Sequence, residues 1–152
     1  MIAAVDGNNL TEEELNLLTY KNKKSINPWN TKMSPSQIGC ALSHIKIYRK
    51  LIKSNYDFAL ILEDDAYFLR DLTEKLQNFI IKNLKYEKQI LLLSELKEFI
   101  NKPLDKFNGY EVVNVTNAFF THSYLINKKA AESIIKFNYP VKTIADNFVL
   151  FH

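Results

Sequence analysis

The sequence predicts an α/β sandwich, a mixed and mostly parallel sheet flanked by helices, and three observations predict it. Two short and wholly apolar runs, FALIL at residues 58–62 and ILLL at residues 90–93, have the length of buried strands. Segments with apolar residues at three- and four-residue steps, opened by helix caps, alternate with them. The chain has 152 residues, 47% of them hydrophobic and 12% aromatic, which is enough for one domain with a core.

Each element follows from local chemistry. Ile2 and Val5 suit the end of a short strand that runs into a turn at Asp6 and Gly7. Thr11 and Glu14 form a capping box for a short helix carrying Leu15, Leu17 and Leu18. Residues 21–33 are polar and aperiodic, with Pro28 and Trp29 in the middle, so a long loop is expected. Tyr20 and Trp29 flank it, where aromatic faces can stack on a sugar or pin the loop to the body. Ser34, Pro35 and Gln37 supply an N-cap hydroxyl, a proline at the first helical position and a capping-box glutamine. Ile38, Leu42, Ile45, Tyr48 or Arg49, and Ile52 then give one buried stripe, with Lys46, Lys50 and Lys53 solvated and an end near Ser54 and Asn55.

Residues 58–62 read as a central strand covered on both faces. Asp71 with Glu74 opens a helix whose inner face is Leu72, Leu76, Phe79 and Ile80, and residues 90–93 form the second strand. Val112, Val113 and Val115, then residues 118–126, suggest two further strands, the pair after Gly109 adding an antiparallel or mixed edge. Asn127 caps a helix through Ala130, Ala131, Ile134 and Ile135, and a last short helix is expected near Ala145.

Composition excludes several functions. A net charge of +3, from 20 basic and 17 acidic residues, lacks the electrostatic footprint of a nucleic-acid binder. Gly7, Gly39 and Gly109 are far apart in sequence and cannot form a Walker or dinucleotide loop. Cys40 is alone, so there is no disulfide and no thiolate zinc motif, and His44, His122 and His152 lack the spacing of an imidazole one; zinc is not expected. Only Arg49 and Arg70 are arginines, so a diphosphate ligand needs another counter-charge. No apolar stretch approaches the roughly 20 residues of a membrane span, and a soluble, intracellular protein is expected.

The chemistry lies at Glu63, Asp64 and Asp65. Three adjacent carboxylates at the carboxyl end of an apolar strand repel one another unless a cation sits among them, and ligands of α/β sheets bind at such ends. If the strand geometry continues, Glu63 and Asp65 share one side and Asp64 takes the other. All-oxygen ligands favour magnesium or manganese, which can bridge a diphosphate, as in a sugar nucleotide. A solvated strand end or a helix N-cap is the bland alternative, and spacing leaves both open. Ser43 and His44 point about 100° apart on a helix and are rejected as a nucleophile and its base. Cys40 reads as a small core residue.

The stretch SPSQIGCALSHIKIYRKLIKSNYDFALILEDDAYF, residues 34–68, resembles the signature region of glycosyltransferase family 25, the lipooligosaccharide galactosyltransferases and their relatives. AAVDG at residues 3–7 and AFFTHSYLINKKAAESII at residues 118–135 resemble further segments of that family, and Asp146 falls where it places a downstream aspartate. The resemblance implies a GT-A-like (Rossmann-like) fold. It also implies metal-assisted, inverting transfer of a hexose, often galactose from UDP-galactose, to an oligosaccharide or lipooligosaccharide acceptor in lipopolysaccharide biosynthesis. On that reading Glu63 and Asp65 are the acid-x-acid metal ligands for Mn2+ or Mg2+. Glu63 also lies near the ribose or a metal-bound water, and Asp64 caps the next segment or orients its neighbours, so that Glu63, Asp64 and His44 line the donor site.

An inverting transfer needs a general base, for which Asp146 is the candidate and Glu95 a rival; Asp146 also reads as the N-cap of the last helix. His44 reads either as a phosphate or sugar contact or as a buried hydrogen-bonded residue. His122 alternates with apolar neighbours in a strand, and His152 either closes a metal site or is merely terminal. The family's usual strand before Ala3 has no counterpart, and the chain stops at Phe148 to His152, so one incomplete domain, residues 1–152, is expected. Its exposed sheet edge would favour a homo-oligomer. Two functions follow: a transferase in the cytoplasm, at the inner face of a bacterial inner membrane, or a non-catalytic shortened member that binds or assembles. A phosphoacceptor domain ranks third, because LLLS lacks a following aspartate.

Overall fold

The computed structural model describes residues 2–19, 32–66, 74–93, 98–117 and 122–148. After a 3-10 turn at Gly7–Asn9 come α1 (Glu12–Leu18), α2 (Pro35–Lys53), β1 (Phe58–Leu62), α3 (Glu74–Lys82) and β2 (Ile90–Leu92). Short strands β3 (Glu98–Phe99), β4 (Asp105–Phe107), β5 (Tyr110–Val112) and β6 (Val115–Asn117) precede β7 (Ser123–Asn127) and α4 (Lys128–Asn138). The class is mixed α/β, as the sequence predicts. The loop with Tyr20, Pro28 and Trp29, the helix start at Asp71 and Leu72, the Leu76 side chain, and Arg70, Glu95, residues 118–121 and His152 lie outside the described residues.

Helix starts are where the sequence puts them, because the capping groups satisfy backbone donors that no helical carbonyl can reach. In α2, Ser34 Oγ accepts from the Gln37 amide at 3.2 Å while Gln37 Oε1 accepts from the Ser34 amide at 2.8 Å. Thr11 and Glu14 repeat the box in α1, and Asn127 Oδ1 accepts from the Ala130 amide at 2.9 Å to open α4. The α2 stripe is buried as Ile38, Leu42, Ile45 and Tyr48, with Leu51 beyond them. Arg49 is exposed, its guanidinium 4.2 Å from the centre of the Tyr139 ring, so Tyr48 takes the stripe position.

This helix serves two cores. Its first half packs with Met33, Val141, Ile144 and Ala145; its second half packs with Ile61, Tyr124, Ile126, Ala131, Ile134 and Phe148.

The main sheet has the order β1-β7-β2, and both pairings with β7 are antiparallel. β1 and β2 therefore run in the same direction with β7 between them, so the mostly parallel pairing expected is replaced by antiparallel ladders among the described residues. The physical reason is burial. Tyr124, Leu125 and Ile126 are consecutive and buried, which only a strand covered on both faces permits, so the centre belongs to β7. β1 is covered on one face: Ile61 is buried, but Phe58, Leu60 and Leu62 are 37%, 40% and 43% exposed.

The strand pair expected after Gly109 does not form an edge together: β6 pairs with β3 and β7 takes the centre of the main sheet, while a separate antiparallel hairpin, β4–β5, turns at Gly109. Asn108 and Gly109 have φ of 45° and 82°, the left-handed pair that a tight two-residue hairpin turn requires. Where a last short helix is expected near Ala145, Ala145 and Asp146 form a turn and Phe148 is in 3-10 conformation. Val5 lies in no strand, its amide donating instead to Ser43 Oγ at 2.8 Å. No described helix is long and apolar enough to cross a membrane.

Two glycines far apart in sequence meet here. A Cβ on Gly39 would lie 2.5 Å from the Gly7 amide nitrogen and 2.6 Å from the Val5 carbonyl oxygen, both backbone atoms that cannot swing away. The amino-terminal turn thus lies backbone to backbone against α2. Gly39→Ala is expected to destabilise by roughly 1–3 kcal/mol, as overpacking does, although alanine is the better helix former. Urea unfolding measures it, and an unchanged or raised midpoint contradicts the close approach.

Candidate active site

The site is built by the ladder between β1 and β7. Leu62 pairs with Ser123, and the ladder extends one step further, the Glu63 amide donating to the His122 carbonyl at 3.0 Å. That bond delivers Glu63 and His122 side by side. The chain then turns, with the Ala66 amide donating to the Glu63 carbonyl at 3.1 Å and Asp64 and Asp65 exposed at the bend. The turn, not continued strand alternation, brings Glu63 and Asp65 together. One ligand atom from each of Glu63, Asp65 and His122 lies within 4.8 Å of the others, and His122 Nδ1 is 3.9 Å from Asp65 Oδ1.

On its inner side Glu63 faces α2. His44 Nε2 is 3.2 Å from Glu63 Oε1, His44 Nδ1 is 2.6 Å from the Tyr124 hydroxyl, and that hydroxyl is 2.7 Å from the one on Tyr48. A carboxylate only accepts, so in the neutral ring Nε2–H donates to Glu63 and Nδ1 accepts from Tyr124. His44 is 5% exposed and Tyr124 wholly buried. Burial pushes both tyrosine hydroxyls well above their ordinary pKa, which keeps them neutral hydrogen-bonding groups.

Cys40 lies one helical turn before His44 and therefore on the same face. It is exposed rather than part of the core, and its sulfur, a His44 nitrogen and a Glu63 oxygen lie within 4.8 Å of one another. Sequence spacing gave no reason to expect that set. Although the residue is exposed overall, its thiol is partly shielded from water, and that desolvation first, then the negative charges of Glu63 and Asp146, pushes it up to about 11. Asp146 and Glu63 thus both act on the Cys40 thiol.

The segment carrying Asp146 is tied down by Asn138. Its buried Oδ1 accepts from the amides of Lys142 at 2.8 Å and Thr143 at 3.0 Å, and its Nδ2 donates to the Thr143 carbonyl at 3.1 Å. Asn147 Nδ2 adds a bond to Thr143 Oγ1 at 3.0 Å.

The sequence-predicted residues Glu63, Asp65 and His44 are therefore neighbours, Asp64 sits on the same bend, and Asp146 acts electrostatically on Cys40. Sequence reasoning missed His122, Tyr124 and Asn138 as parts of the site. The first two become visible only when β7 is registered against β1.

A family model described as glycosyltransferase family 25 (LPS biosynthesis protein) matches residues 1–149. The chain belongs to glycosyltransferase family 25. It is 22% identical over 147 residues to procollagen galactosyltransferase 2 of Homo sapiens, covering 91% of this chain and 23% of that one. It is 26% identical over 160 residues to a procollagen lysyl hydroxylase and glycosyltransferase of Acanthamoeba polyphaga mimivirus, covering 96% of this chain and 17% of that one. A glycosyltransferase 25 family member of Aedes aegypti is 36% identical over 67 residues, 43% of this chain and 11% of the relative. The chain thus spans less than a quarter of the length of these curated relatives. No solved structure matches significantly.

The electrostatics of this family 25 site give a direct test. With its thiol near 11, Cys40 is expected to react with iodoacetamide about a hundredfold more slowly at pH 7.5 than free cysteine, the rate rising toward pH 11. Glu63→Gln removes one of the two charges and is expected to speed alkylation. A rate equal to that of free cysteine, or indifferent to Glu63, contradicts the arrangement.

Proposed function

We propose that this chain carries the donor site of a galactosyltransferase, moving galactose from a UDP-sugar to a saccharide acceptor with inversion, in a GT-A-like domain. The observation that carries this reading is the convergence of Glu63, Asp65 and His122 at the carboxyl end of β1, within a chain matched by the family model almost throughout. The galactosyl group rests on a relative named as a galactosyltransferase, and the lipopolysaccharide acceptor on the family's description. Placement in the cytoplasm, at the inner face of a bacterial inner membrane, belongs to the same proposal.

Two carboxylates and an imidazole nitrogen that close together fit a divalent ion such as Mn2+ or Mg2+. When bound, the ion neutralises the charge that develops on the departing UDP. Glu63 and Asp65 would hold it, and Asp64, exposed at the same bend, would orient its neighbours within the donor site. His44 acts on the donor through Glu63, holding that carboxylate's inner oxygen so that the other points outward. Asp146 accepts the proton of the attacking acceptor hydroxyl, a carboxylate role that fits an inverting displacement.

Calorimetric titration of the protein with UDP, with and without Mn2+, tests the reading. Binding is expected to require the metal. Asp65→Asn is expected to weaken it at least tenfold, whereas Asp146→Asn keeps UDP binding and loses transfer to the acceptor. A folded protein that binds no UDP in Mn2+ supports instead a non-catalytic family member that binds or assembles.

A further inference from the structure

We propose that Cys40, His44 and Glu63 form a binding site for a thiophilic divalent ion, Zn2+, on the inner side of the acidic bend. The site is distinct in chemistry from the outer set of Glu63, Asp65 and His122, and it does not rest on the transferase reading.

Geometry comes first. A sulfur, a nitrogen and an oxygen atom lie within 4.8 Å of one another, supplied by an exposed cysteine, a buried histidine and a half-buried glutamate. A tetrahedral zinc ion, with bonds of about 2.0 Å to nitrogen and oxygen and about 2.3 Å to sulfur, holds its ligand atoms roughly 3.3–3.7 Å apart. The His44 Nε2 to Glu63 Oε1 distance of 3.2 Å is close to that edge length. Three protein ligands leave a fourth position for water.

Ligand type decides the ion. A thiolate with an imidazole selects zinc over manganese or magnesium, which favour oxygen. The histidine is prepared for it as well. Zinc-bound imidazoles donate their second N–H to a fixed partner, and His44 Nδ1 lies 2.6 Å from the buried Tyr124 hydroxyl. That hydroxyl either donates or accepts, so the ring can turn its Nε2 lone pair to the ion while Nδ1–H donates to Tyr124. Cys40 is an exposed residue, so the set has one ligand at the surface from which an ion can be taken up.

Charge agrees. Glu63 and Asp146 make the surroundings of Cys40 negative, and a divalent cation relieves what the thiolate alone would aggravate. As the zinc–sulfur bond forms, the thiol proton leaves to solvent, so one proton is released for each ion bound through Cys40.

Co2+ is the spectroscopic probe and Zn2+ the ligand, each added to the purified protein with no nucleotide present. Wild-type protein is expected to show a near-ultraviolet thiolate-to-cobalt band, absent in Cys40→Ser and retained in Asp65→Asn. Zn2+ affinity, measured against a chromophoric chelator, should fall at least about 100-fold in Cys40→Ser and about tenfold in Tyr124→Phe, which keeps the ring but loses the hydroxyl. Cys40→Ser changes one surface atom, and its melting temperature confirms the fold. A folded wild-type protein without the band, or Cys40→Ser binding Zn2+ as tightly as wild type, overturns the proposal. Loss of the band in Asp65→Asn also overturns it, by moving the ion to the outer carboxylates. A protein that gives the band but binds no UDP in Mn2+ fails the transferase reading alone.

Discussion

The backbone bond from the Glu63 amide to the His122 carbonyl is the constraint on which the site depends. It is the last rung of the β1–β7 ladder, and the register it closes sets three things at once. Glu63 is held where α2 can reach it, His122 is set beside Asp65, and Tyr124, two residues on from His122, is turned toward His44. A slip of one residue would send Tyr124 to the opposite face and leave His44 Nδ1 facing hydrocarbon. Such a slip is resisted because Tyr124 and Ile126 fill the core between β7 and α2, so burial energy and site geometry enforce the same register.

Much of this was legible in the sequence wherever the signal is local. Capping boxes and the α2 stripe depend on residues three or four apart, and Ser34 with Gln37, or Ile38 with Leu42 and Ile45, behave as that spacing dictates. The acidic bend was legible because three carboxylates after an apolar run are conspicuous. What stayed hidden depends on pairing across the chain. FALIL looks like a central strand because its residues are all apolar, yet SYLIN, which has polar ends, takes the centre by hydrogen-bonding to both β1 and β2. His122 has no local feature to mark it, and its place follows from lying opposite Glu63. Cys40 reads as a core residue from its helix alone, yet it is exposed and lies near His44, its i, i+4 neighbour.

A carboxylate half-withdrawn from water needs partners, and Glu63 finds one in His44 at the cost of a polar chain reaching into the core. Glu63, His44, Tyr124 and Tyr48 form one connected path from the surface to wholly buried hydroxyls. Each member satisfies the next, which is the condition for a buried polar network to be tolerated. Removing a middle member strands its neighbours, so such a path holds side chains in place more firmly than apolar packing alone. Further along the chain, Asn138 does the same for the backbone, its side chain bonding the Lys142 and Thr143 amides and the Thr143 carbonyl in the segment that leads to Asp146.

The sharing of Glu63 between an oxygen-rich group and one containing sulfur also bears on selectivity. Along the first-row divalent series manganese binds nitrogen and sulfur donors most weakly and zinc far more strongly, so raw affinity cannot make a site of this kind choose manganese. Separation has to come from geometry and access. The outer group offers Asp65 and His122 with exposed side chains, whereas the inner group lies against α2. A ligand that brings its own oxygens, such as a diphosphate, therefore favours the outer group, and a bare thiophilic ion favours the inner one. On the two proposed readings, which group Glu63 serves would be set by whether the ion arrives with a nucleotide or without one.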